Sequence, residues 1–176
     1  MINYICTSCT AGHFKSSTGN SSCHTADKGF YTVDGNGDPT SSGAVGQLQA
    51  EEGYYTVDAN GYHTTHRAVN RRQVDQGYYA TDERGNHTRS GAVGQRAAGE
   101  GYYTVDGDGN PVSSGAVNQV KAPAGYYTVD GAGDPVSSRA VNIAIAPSGK
   151  YTVNADGGAT SAGAVNVNQV AAGYDA

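Results

Sequence analysis

The chain has 176 residues with no tryptophan, two phenylalanines, one methionine and, in Leu48, a single leucine. Without long aliphatic side chains a large single hydrophobic core cannot be built. No apolar run approaches the length needed to span a bilayer. The opening Met1-Ile2-Asn3-Tyr4-Ile5-Cys6 is not a signal peptide, so secretion would require a targeting segment outside this sequence. Positive charge is in the minority: 11 Lys and Arg stand against 16 Asp and Glu, for a net charge of -5. Nucleic acid is a poor partner for such a chain, because displacing counterions from phosphates takes a basic stripe. Arg67, Arg71, Arg72, Arg84, Arg89 and Arg96 do crowd together in sequence, and read as a solvated basic patch on an acidic chain. No GxSxG, HExxH, phosphate-binding loop or paired-carboxylate arrangement is found, so the chain is not expected to be an enzyme and no cofactor is expected.

What the chain does have is one phrase repeated. The glycines Gly29, Gly53, Gly77, Gly101, Gly125, Gly149 and Gly173 each lie 24 residues after the last, with no insertion. A fixed period of that size means an array of one supersecondary unit. The expected division is a cysteine-bearing module over residues 1–28, six repeats over 29–52, 53–76, 77–100, 101–124, 125–148 and 149–172, and the start of a seventh at 173–176.

Inside each repeat the alternation Tyr-x-Val, as in Tyr103-Thr104-Val105, reads as a short strand with tyrosine and valine on one face. An Asp-x-x-Gly turn follows, ending in pairs such as Asn36-Gly37 and Asp108-Gly109, where glycine tolerates the positive φ of a hairpin. A second strand is expected through Pro111 to Ser114. The fold class is therefore all-β: an elongated tandem array of 24-residue β-hairpin repeats, solenoid-like or beads on a rod, with a small disulfide-bearing amino-terminal module. One isolated hairpin buries too little to offset the entropy of ordering it. The expected stacking core is Tyr31, Tyr55, Tyr79, Tyr103, Tyr127 and Tyr151 with Val45, Val69, Val93, Val117, Val141 and Val165.

All three cysteines precede the array, as Cys6-Thr7-Ser8-Cys9 and Cys23. Zinc would need His13 or His24 as a further ligand at unfamiliar spacing, and the Gly/Ser/Thr-rich stretch after Cys9 offers no helix for a thioredoxin-like site, which leaves disulfide chemistry. Cys6-x-x-Cys9-Thr10-Ala11-Gly12-His13-Phe14, a polar loop, then Cys23-x-x-Ala26-Asp27-Lys28-Gly29-Phe30 resembles the cysteine-rich ephrin-receptor-like (GCC2/GCC3) extracellular repeats. The resemblance covers roughly residues 4–34 and departs at Ala26, which stands in place of a fourth cysteine. It implies one intrachain bridge to Cys23, from Cys9 or Cys6, with an odd thiol left over. It also implies that the later repeats are the same module with Gln and Ala in place of cysteine, as in Gln119-Val120-Lys121-Ala122, so that something other than disulfides holds them.

Three further features are candidate sites. Asp34-x-Asn36-x-Asp38 and Asp106-x-Asp108-x-Asn110 imitate the first ligands of a calcium loop, but Val45 stands where the bidentate Glu would be. An Asp capping its own turn accounts for them, with calcium as the second reading. His63, His66 and His87 lack companion ligands and read as exposed loop residues. Asn20-Ser21-Ser22 and Asn86-His87-Thr88 are N-glycosylation sequons on expected loops. The sequence thus points to a glycosylated protein of the extracellular space or cell surface. Its expected role is protomer of a fibril or surface filament whose partners are copies of itself and glycans. The alternative is a stalk presenting a binding domain from elsewhere.

Overall fold

The computed structural model describes residues 7–173; Cys6 and residues 174–176 lie outside the described residues. Fourteen strands pair into seven two-stranded antiparallel sheets in tandem, with no helix among the described residues. The first sheet joins β1 (His13–Phe14) and β2 (His24–Thr25). The next are β3 (Phe30–Val33) with β4 (Gly46–Gln49), β5 (Tyr54–Val57) with β6 (Asn70–Gln73), and β7 (Tyr78–Thr81) with β8 (Gly94–Ala97). The last three are β9 (Tyr102–Val105) with β10 (Asn118–Lys121), β11 (Tyr126–Val129) with β12 (Asn142–Ile145), and β13 (Lys150–Val153) with β14 (Asn166–Gln169). Register repeats with the sequence: Tyr31 faces Leu48, Tyr103 faces Val120 and Tyr151 faces Asn168.

The return strand differs from the sequence expectation. It is Asn118–Lys121, not Pro111–Ser114, and Pro111 makes only an isolated bridge to Val105. Proline has no N–H to give a ladder, and Gly115 takes a left-handed φ of 69°, so the chain bends there before pairing. The Asp-x-x-Gly turn forms as expected. Asp106 Oδ1 accepts the N–H groups of Asp108 and Asn110 at 2.9 and 2.8 Å, and Gly109 N–H donates to the Asp106 carbonyl. The same capping recurs at Asp34, Asp58, Asp82 and Asp130.

The strands β3, β5, β7 and β9 are buried on both faces, because the residue after the enclosed tyrosine is enclosed as well. Thr32, Thr56, Thr104 and Thr128 are fully buried. Each hydroxyl donates within its own repeat, as from Thr104 Oγ1 to the Val112 carbonyl at 2.6 Å, which satisfies the polar atom that burial would otherwise penalise.

Consecutive hairpins are hydrogen-bonded, which excludes loose beads. Tyr31 makes a parallel bridge to Ala68 of the next repeat, and Thr32 N–H donates to the Ala68 carbonyl at 3.0 Å. The pattern recurs from Tyr55 to Ala92, Tyr79 to Ala116, Tyr103 to Ala140 and Tyr127 to Ala164, and Phe14 makes it to Ala44. Contacts also skip one repeat: Gly91 N–H donates to the Ala50 carbonyl at 2.7 Å, and Gly115 N–H to that of Val74 at 2.9 Å.

The apolar interior is a series of clusters, not one unbroken row. Tyr31, Val33 and Ala68 form one; Tyr55, Val57, Val74, Ala80 and Ala92 another; Tyr103, Val105 and Ala140 a third. Of the valines expected in the core, Val69, Val93, Val117, Val141 and Val165 are buried, but Val45 is 43% exposed. The groove beside Val69 is walled by Pro39, Thr40 and Ser41 of the preceding repeat. The module before Val45 spans only 17 residues from Gly12 to Gly29 and has no such wall to offer. Tyrosine burial declines along the array: Tyr31, Tyr55, Tyr79 and Tyr103 are 2%, 4%, 5% and 9% exposed, Tyr127 is half-buried, and Tyr151 is 36% exposed. A tyrosine is closed in only where two further repeats follow it.

Candidate functional site: the interface between repeats

The contacts that join one hairpin to its neighbours recur at the same positions from repeat to repeat. At the centre of this interface is a clasp. Gln95 Oε1 accepts the backbone N–H of Asp75 at 2.7 Å while Gln95 Nε2 donates to Asp75 Oδ2 at 2.6 Å. Gln47 grips Asp27 in the same way, and Gln119 Oε1 accepts the N–H of Gly99 at 2.7 Å. Between them, Arg71 and Glu51 form an ion pair at 2.8 Å.

The disulfide occupies the equivalent place. Cys9 and Cys23 are bonded, with Cα atoms 5.9 Å apart. Register aligns Phe14–His24 with Tyr31–Leu48, which sets Cys23 against Gln47. Backbone bonds set Cys9 against Ala50, since Gly43 N–H donates to Cys9 and Gly91 N–H to Ala50. The cystine bridge and the glutamine clasp therefore fasten the same turn in successive modules. The Cys9–Cys23 bond also places the protein in a non-reducing environment. Of the cysteines considered as its source, Cys9 is the partner observed; Cys6 lies outside the described residues.

Farther along the chain the clasp changes type. At the residues aligned with Asp75 and Gln95 stand Pro123 with Ile143 and Pro147 with Val167. Proline has no N–H to be received, and the polar gripping residue is gone with it. Ile143 packs instead on the cluster of Tyr103, Val105 and Ala140.

Glycine permits the closest approach between repeats. Gly53 has φ 77°, and a Cβ there would collide with the Gly115 carbonyl oxygen; Gly29 meets Gly91 and Gly101 meets Gly163 likewise. Gly12 meets Arg67 in the same manner, which makes residues 7–28 continuous with the array. At two places the facing residue is arginine with a left-handed φ, 58° at Arg67 and 57° at Arg139. Arg139 spreads over the Tyr78 ring at 5.2 Å, an attraction that compensates part of the strain.

Charge reinforces the joints. Arg71 lies over the rings of Tyr31 and Tyr54 at 5.1 and 5.3 Å and donates to Tyr31 Oη. Burial pushes the Tyr31 phenol up from its ordinary value, opposed in part by Arg71; Tyr55 is raised for the same first cause. Lys28 pairs with Glu83 at 2.6 Å and Arg89 with Glu52 at 2.6 Å, each bridging different repeats. The hydrogen bond from Arg89, then that from Gly107 N–H, holds the Glu52 carboxyl below the usual range. Three of the six crowded arginines, Arg71, Arg72 and Arg89, are thus engaged by Glu51, Asp75 and Glu52.

The remaining candidates are dispersed. His63 and His87 bridge Val57 and Thr81 at the position that Pro111 fills elsewhere, and His66 is exposed on a bend. Among the described residues no three His, Cys, Asp or Glu side chains are grouped to hold a metal ion. Asn20 and Asn86 are both exposed. No helix among the described residues is long and apolar enough to cross a membrane. The Tyr and Ala-Val periodicity pointed to this interface in advance, whereas the clasp was missed. Its signal was present as the matched changes at positions 20 residues apart, Asp with Gln and Pro with Ile or Val. Comparison with known proteins returned no matching family model, no matching curated protein and no matching solved structure.

Proposed function

We propose that this chain is a structural protein, the protomer of an extracellular fibril or surface filament, with no catalytic role. The observation that carries the reading is the dependence of each repeat on its neighbours: tyrosines with two following repeats are enclosed, and Tyr151, with none, is not. An array fastened at first and second neighbours resists bending more than hairpins tethered only at their ends, and that is useful in a rod. The cystine and the exposed sequons at Asn20 and Asn86 support a secreted, glycosylated protein. Copies of the chain and the attached glycans are its partners in this reading.

Electron microscopy of the purified full chain tests it. Filaments of uniform width support the proposal; separate short rods at every concentration overturn it in favour of a stalk. Mass analysis of protein from a secretory host reads glycan occupancy at Asn20 and Asn86.

A further inference from the structure

The joints described above are polar in direction: each repeat offers its Tyr strand forward and its Ala-Val segment backward. In repeats 29–52 to 149–172 the backward-facing alanine is Ala44, Ala68, Ala92, Ala116, Ala140 or Ala164, none more than 3% exposed. The register of Phe14–His24 against Tyr31–Leu48 shows what the preceding module has at this place. Asn20 and Ser21 stand where later repeats have Ala and Val, and both are exposed.

The geometry around them is equally unlike a joint. Gly19, aligned with Gly43, has φ 123°, whereas Gly43, Gly91, Gly115 and Gly163 in the same position have φ 62°, 63°, 69° and 69°. The loop is seven residues shorter than in a repeat and lacks the Asp-x-x-Gly turn and the Pro39-Thr40 wall. Burying the Asn20 amide where a methyl group fits would leave its donors and acceptor unpaired, at a cost of a few kcal/mol by general experience.

We propose that residues 7–28 carry a cap: a backward face that does not accept the Tyr–Ala joint, so that copies cannot continue the array head to tail through it. The cap permits assembly only through other surfaces, and it rests on the filament reading only for its biological use.

The test opens the cap in the full chain. One variant replaces residues 16–21 with the sequence of residues 33–45, restoring a full-length loop ending in Ala-Val; a second carries Asn20→Ala and Ser21→Val. Loss of free thiol at Cys9 and Cys23 reports correct folding of each. Sedimentation velocity across a concentration series is expected to show head-to-tail oligomers of the loop variant, with association at least about tenfold tighter than in the parent. The double substitution should fall between them. Tyr151→Arg should abolish that gain and leave the parent's own association unchanged. Unchanged association in a correctly oxidised loop variant, or loss of the parent's oligomers on Tyr151→Arg, would overturn the cap. A parent that forms no filaments at all refutes the filament reading instead, while the variants still report on the cap.

Discussion

Gln95 holds Asp75 by two hydrogen bonds, receiving its backbone N–H and donating to its carboxylate. The two residues lie 20 positions apart, in successive repeats, and both ends are partly buried. The grip is placed where the cysteine-bearing module has Cys9–Cys23. A covalent bond and a side-chain clasp thus serve one mechanical purpose in different modules.

Gln95→Ala removes both bonds and strands the Asp75 N–H, which should cost about 1–3 kcal/mol in chemical denaturation. Gln119→Ala loses only the bond to Gly99 N–H and should cost less. Equal losses from the two variants would mean that the carboxylate half of the clasp contributes nothing.

If the clasp and the cystine are equivalent, a repeat should accept the cystine. Ala98 and Gln119 align with Cys9 and Cys23, and Ala98 is buried. Ala98→Cys with Gln119→Cys should oxidise spontaneously in air, read as the disappearance of two thiols against the parent. The closed loop should raise stability by about 3 kcal/mol on the chain-entropy account. A pair that stays reduced would show that the backbone at 98 and 119 does not reproduce that at 9 and 23.

The period, the first strand, the turn and the all-β class were legible in the sequence because they rest on local signals: Tyr-x-Val, Asp-x-x-Gly and a fixed spacing of glycines. The return strand was misplaced at Pro111–Ser114 because Pro-Val-Ser-Ser directly after a hairpin turn looks extended, while what pairs is Asn118–Lys121, chosen by register with Tyr102–Val105. Val45 was expected inside by analogy with Val69; its exposure follows from a loop seven residues shorter in the module before it, a non-local cause. The stacking order of repeats, with glycines such as Gly53 and Gly115 meeting across two units, rests on contacts between residues far apart in the chain and has no local signature at all.

Glycine substitutions separate conformational strain from close approach. Gly61 has φ 83° and open space around a Cβ, so Gly61→Ala should cost about 1–2 kcal/mol from the left-handed backbone alone. Gly53, at φ 77°, faces the Gly115 carbonyl, and Gly53→Ala forces two repeats apart. Its cost should exceed that of Gly61→Ala by at least about 2 kcal/mol, with loss of hydrogen-exchange protection at Thr56, Ala80 and Gly115, whose N–H groups bond to Ala92, Ala116 and Val74. Similar costs for both would deny that the second-neighbour approach is tight.

Alkaline pH probes the tyrosine clusters directly. Burial raises the Tyr31 and Tyr55 phenols, with Arg71 and Arg72 respectively acting against it. Below the ordinary phenol value of about 10 both folded and unfolded chains are neutral at these positions, and the clusters contribute fully. Above it the unfolded chain ionises first, so the contribution is lost as pH climbs through the folded values. Absorbance at the phenolate band should therefore include a second phase, from Tyr31 and Tyr55, that coincides with the unfolding transition. Tyr31→Phe combined with Tyr55→Phe should shrink the second phase and shift alkaline unfolding to higher pH. It should also sacrifice the Arg71 hydrogen bond to Tyr31 Oη, lowering stability modestly at neutral pH. A single titration near the ordinary value, complete before the backbone unfolds, would mean that these rings are wet and that the joints between repeats are open.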